Sequence, residues 1–206
     1  MKKLLQDKKS LWNPFVYIAG ERALLLGLGI IILSAFIGYL NNAWLDGILD
    51  LHFGPAAPFY WHLGMGLINW LSVLIILAPL AYILTDTHIR FVDLAGTMAL
   101  ARFPMLIAVL TGFFKAPVRV SQDVLYNYLA IGEPVNATIF DYILTLVVVT
   151  VMILMIIWQV ALLFNAYKLC ANLKGSRAGI SFTVGFIAAY ILSKVLIAWL
   201  ARIIVF

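Results

Sequence analysis

An all-α bundle of five transmembrane helices is the fold class that this sequence predicts, and three observations lead there. The 206 residues are 65% hydrophobic and only 11% charged, where a soluble domain carries about 25% charged residues. Mean hydropathy is +1.05, too apolar for one water-exposed core of this size, so lipid is the expected solvent. Five stretches reach the roughly 20 mainly apolar residues that a helix needs to cross a hydrocarbon core.

Those stretches are residues 23–40, 61–84, 92–114, 139–165 and 180–204. The length allows one domain. We read residues 1–22 as an amphipathic N-terminal tail on the inner leaflet and 23–206 as the five-helix domain. "NNAWLDGILDLHFGPAAP" joins the first two spans and "TDTHIRF" the next two. "KAPVRVSQDVLYNYLAIGEPVNAT" is the longest connection, and "KLCANLKGSRAG" precedes the last span. No short apolar run with a small-residue cleavage site follows the N-terminal lysines, so the tail is expected to be retained.

Basic residues near span ends set the expected orientation, because they concentrate on the cytoplasmic side. Lys2, Lys3, Lys8, Lys9, Arg22, Arg90, Lys168, Lys174 and Arg177 fall on one side, and only Lys115, Arg119 and Arg202 on the other. Nine against three puts the N-terminus in the cytoplasm and the C-terminus outside. The formal charge of +5 therefore reflects topology, and no nucleic-acid partner is expected. In the tail, Leu4, Leu5, Leu11, Trp12, Phe15 and Ile18 alternate with lysines, a pattern suited to an anionic leaflet. Asn13-Pro14 reads as a helix start. Trp44, Tyr60 and Trp61 are placed at the outer headgroup layer.

Small residues are expected to let helices approach. Ser181, Gly185, Ala189 and Ser193 form such a ridge on the fifth span, and Gly27, Gly29, Gly64 and Gly66 serve the first two. The fourth span is bulky nearly all round and is expected to face lipid. As one helix from 139 to 172 it would be about 50 Å long, longer than the membrane. Trp158, Asn165, Lys168 and Asn172 would then share a cytoplasmic stripe, either a solvated helix end or a docking surface for a partner.

The third span, "FVDLAGTMALARFPMLIAVLTGFF", keeps three residues that lipid penalises. Asp93 falls in the first turn, where free N–H groups and the helix dipole favour a carboxylate. Pro104 removes a hydrogen bond from the carbonyl of Leu100 and predicts a kink. Arg102 lies roughly 18 Å from the outer end of its helix, and Lys194 sits at about that depth in the fifth span. Asn69 falls near the same level, and no acid is predicted there. Either the two basic residues snorkel or bind backbone carbonyls, or Arg102, Lys194 and Asn69 hold an anion such as a lipid headgroup.

Catalytic patterns are absent from the sequence. His52, His62 and His88 are scattered, and no HExxH, GxSxG or phosphate-binding glycine loop occurs. Cys170 is the single cysteine, which excludes an internal disulfide or a multi-cysteine metal site. No enzyme activity, cofactor or metal is expected.

The five-span order resembles a family. So do "DLAGTMALARFP" and, two spans later, "WQVALLFNAYKLCANLKGSRAGISFTVGFIAAYILSKVL". Together they resemble the Yip1-domain membrane proteins, in particular their short bacterial members, over roughly residues 89–206. The resemblance implies a bacterial inner-membrane protein of unassigned activity. Eukaryotic members bind Rab-type GTPases, but Asp93-Leu94-Ala95-Gly96 only partly echoes their Asp-Leu-Tyr-Gly-Pro element, so that role is not carried over. The expected function is organising membrane lipids or protein partners, homo-oligomers included. The alternative is a small transporter or channel built on the mid-membrane layer.

Overall fold

The computed structural model describes residues 11–85 and 87–204, and it has the predicted class. Its helices are α1 (Gly20–Asn41), α2 (Phe59–Leu84), α3 (Phe91–Leu100), α4 (Phe103–Leu110), α5 (Ala116–Leu129), α6 (Ile139–Cys170) and α7 (Gly175–Ile204). Two short antiparallel strands, β1 (Ala43–Trp44) and β2 (His52–Phe53), form a hairpin between α1 and α2. Among the described residues five helical runs are long and apolar enough to cross a membrane: α1, α2, α3 with α4, α6 and α7. The chain thus has a multi-pass membrane architecture. Arg22, Arg90, Lys168, Lys174 and Arg177 mark its basic end, and the β-hairpin and α5 mark the hairpin end.

The third run is central. Of its most apolar window 72% is buried, against 22% for α6 and for α7, whose outer faces are left for lipid. Its Leu94 and Met98 share one packed core with Leu77 of α2 and Leu163 and Tyr167 of α6. Helix α1 lies against it at van der Waals range: a Cβ on Gly27 would stand 2.5 Å from the backbone carbon of Ala99. The ridge on α7 packs on α2 as the small-residue pattern predicts. A Cβ on Gly185 would sit 2.5 Å from Leu77 Cδ2, and Ala189 and Ser193 are buried. Lipid gives helices no hydrophobic reason to associate, so this close approach is what joins them.

The kink expected at Pro104 is a full break. Helix α3 stops at Leu100, α4 restarts at Phe103, and the Arg102 N–H bonds back to the Ala99 carbonyl at 3.1 Å. Asp93 occupies the first turn of α3, with Arg90 Nε 3.9 Å from its carboxylate.

Four local expectations need correction. Trp61 is buried at 2% exposure, packed edge-on to Trp44 at 5.4 Å, because the hairpin covers it. The fourth span ends at Cys170, and Asn172 sits in a left-handed turn (φ 50°) rather than on the helix. The longest connection contains α5, tied to α6 by the Arg119–Asp141 ion pair and by Tyr142 donating to Asp123 at 2.6 Å. Connection 42–58, expected to be an outer loop, turns inward. Of the N-terminal tail, residues 1–10 lie outside the described residues. Beyond them Pro14–Val16 forms a short 3-10 turn that buries Phe15, and Asn13 stands before it without a side-chain cap.

Candidate functional site

The inward-turning connection explains the mid-membrane polar layer. An irregular segment enters a low-dielectric interior only where its backbone groups find partners. Asn69 of α2 supplies one, donating from Nδ2 to the Leu45 carbonyl at 2.7 Å. Arg102 donates from Nη1 to the Ile48 carbonyl at 3.1 Å, and Gln159 of α6 donates from Nε2 to the same oxygen at 2.7 Å. Ile48 itself is completely buried. Three spans thus hold one loop by its carbonyl oxygens.

Lys194 of α7 grips the same loop by its acids. Its Nζ lies 3.1 Å from Asp46 Oδ2 and 2.7 Å from Asp50 Oδ2. Tyr190, one turn earlier, donates to Asp50 at 2.8 Å, and His52 Nδ1 stands 3.0 Å from Asp46 Oδ1. The expectation of no acid at this level is therefore corrected: Asp46 and Asp50 are carried in by the loop.

Arg102, Lys194 and Asn69 all hold this one segment, yet they do not face a shared cavity. Arg102 Nη2, Asn69 Oδ1, Gln159 Oε1 and Ser72 Oγ are buried without a hydrogen-bond partner among the described residues. The cavity that Arg102 lines with Ser34 and Gly66 measures about 10 Å³, room for about one water and far too small for a phosphate. Chemically the layer is a clamp on backbone.

The stripe predicted on the fourth span divides in two. Trp158 donates from Nε1 to the Leu11 carbonyl, and Asn165 donates from Nδ2 to the Trp12 carbonyl, each at 2.8 Å. That half is covered by the chain's own N-terminal segment. The other half opens on a cleft of about 210 Å³, where Asn165, Lys168 and Asn172 meet Asn13 and Lys174. Beside it a second cleft of about 310 Å³ shares Asn172 and Lys174 and adds Thr85, Thr87 and Arg177. No acid among the described residues pairs with Lys168, Lys174 or Arg177. Asn13 Oδ1 is buried beside them without a hydrogen-bond partner among the described residues.

Several of these residues escaped the sequence reading. Gln159 is an amide in the interior of an apolar span, and that polarity was a usable signal. Asp46, Asp50 and Tyr190 gave none, because nothing in the spacing of a Gly- and Pro-containing connection says that it folds inward. Among the described residues no group of three His, Cys, Asp or Glu side chains could hold a metal ion. Set beside known proteins, the chain matches no family model, no curated protein and no solved structure.

Proposed function

We propose that this protein organises anionic lipid at one membrane leaflet, without catalysis, by holding headgroups in the paired clefts at its basic end. The carrying observation is the convergence of Lys168, Lys174 and Arg177, none with an acidic partner among the described residues, on two clefts that share Asn172 and Lys174. Basic pockets between transmembrane helices are suited to phospholipid headgroups, and each Lys or Arg near an anionic surface contributes about 1 kcal/mol. Lys and Arg donors in a recess also fit a phosphate better than the same charges spread over a flat surface.

The nine-to-three distribution of basic residues supports a cytoplasmic basic end, and the resemblance to short bacterial Yip1-type proteins is what implies a bacterial inner membrane. A Yip1-type identity belongs to the same proposal, supported by the five spans and by the break ahead of Pro104. Transport past Arg102 is the weaker alternative, since the recess there is about 10 Å³.

The experiment is lipid retention in detergent, read by native mass spectrometry with phosphatidylglycerol and phosphatidylcholine as competing probes. Wild type should retain phosphatidylglycerol preferentially. The Lys168→Gln/Lys174→Gln/Arg177→Gln variant should lose that preference by roughly a hundredfold, three contributions of about 1 kcal/mol each. A folded triple variant that keeps phosphatidylglycerol as wild type does would refute the proposal.

A further inference from the structure

A larger cleft opens at the opposite end of the bundle, between the β-hairpin and α5. Its volume is about 480 Å³, within the range of small-molecule sites. The floor is rigid. Asn41 donates from Nδ2 to the Val109 carbonyl at 2.8 Å, and its Oδ1 accepts from the Ala43 N–H at 3.0 Å. One wall is the hairpin, closed by the Gly54 N–H donating to the Asn42 carbonyl at 3.1 Å. The other wall is the first half of α5, anchored to α6 through Arg119. The space is thus formed by fixed elements.

Its charge follows from where the acids of this end have gone. Asp46 and Asp50 face Lys194, Asp141 faces Arg119, and Asp123 accepts from Tyr142 and Asn127. Neither these carboxylates nor Glu133, in the connection after α5, lines the cleft. Lys115 does, and it has no acidic partner among the described residues. Ser121, Gln122 and Asn42 bring hydroxyl and amide donors to the same space, and none of their side chains is engaged by another described residue. His52 completes the lining. Its Nδ1 is turned to Asp46, so it shapes the wall without serving as a donor. A cation with neutral N–H and O–H donors, and no carboxylate in the lining, is the complement of an oxyanion.

We propose that this cleft binds a small molecule through a carboxylate or phosphate group, with Lys115 as the counter-charge and Ser121, Gln122 and Asn42 as donors. Two sources share that chemistry: a dissolved molecule, or a lipid headgroup reached along α5, whose Leu125, Tyr128 and Leu129 are exposed further along the helix. The site is independent of the basic-end clefts, so either can fail without the other.

The test uses the full chain in nanodiscs of phosphatidylcholine, titrated calorimetrically with inorganic phosphate and with succinate. A second arm measures retention of phosphatidylglycerol. Lys115→Gln removes the charge, and Ser121→Trp fills the space without changing charge. Both positions are exposed, so neither change threatens the fold. Saturable binding of phosphate or succinate that each variant weakens at least tenfold supports a dissolved ligand. Phosphatidylglycerol retention that these variants weaken further in the Lys168→Gln/Lys174→Gln/Arg177→Gln background, where the basic-end clefts no longer contribute, supports a headgroup. If neither arm responds to Lys115→Gln or Ser121→Trp, the proposal is overturned.

Discussion

Arg102 and Gln159 converge on a single acceptor, the carbonyl oxygen of Ile48, at 3.1 and 2.7 Å. The two donors come from different spans, and the acceptor from a segment that sequence places outside both. The bond from the charged Arg102 is worth about 1.5–3 kcal/mol and that from the neutral Gln159 amide about 0.5–1.5 kcal/mol, and losing one partner of a buried pair exposes the desolvation cost of the other. The inward position of the loop is therefore set by these side chains.

Replacing both donors should free the loop. In a Cys170→Ser background, a cysteine at position 48 should resist a membrane-impermeant maleimide, because Ile48 is completely buried. Adding Arg102→Met and Gln159→Leu should make it react. If position 48 stays protected in that variant, the clamp is not what holds the segment.

Lys194 shares one ammonium between Asp46 and Asp50. Partly exposed ion pairs are individually worth about 0–1 kcal/mol after solvent screening, so the informative quantity is coupling. Lys194→Gln should lower the melting temperature by about 2–4 °C for each kcal/mol lost. Asp50→Asn should then cost less in that background than in wild type, with a coupling of roughly 0.5–3 kcal/mol. Strict additivity in a thermal-unfolding cycle would exclude a functioning network.

Gly27 and Gly29 lie two residues apart on α1 and should respond oppositely to alanine. A Cβ at position 27 meets the Ala99 backbone, while nothing lies within 4 Å of one at position 29. Overpacking costs about 1–3 kcal/mol, whereas alanine in an open helical site gains roughly 0.5–1 kcal/mol over glycine. Detergent thermal unfolding should show Gly27→Ala destabilised and Gly29→Ala neutral or better. Equal behaviour of the two would mean that α1 does not approach α3 as described.

Much of the architecture was legible in the chain. The five spans, the ridge at Gly185, the break ahead of Pro104 and the place of Asp93 all follow from local rules. The expectation that Arg102, Lys194 and Asn69 fall at one level rests on the fixed rise per residue in a helix, and all three reach the same connection. Helix α5 was missed, although Pro117 at its start and the Val118, Leu125, Leu129 spacing were signals available for it. The N-terminal segment on Trp158 and Asn165 was not legible, since its contacts are more than 140 residues distant in sequence.

What the sequence alone determined was membership of a helical class apolar enough for lipid and the position along its helix of each polar side chain that a span carries. Both depend on composition and on a constant helical pitch. What only the tertiary structure decided was which of these groups meet. Connection 42–58 could have stayed in water or turned inward, and hydropathy does not separate the two. The difference lies in whether Asn69, Arg102 and Gln159 stand close enough together to satisfy its carbonyl oxygens, and only the packing of the spans brings them there.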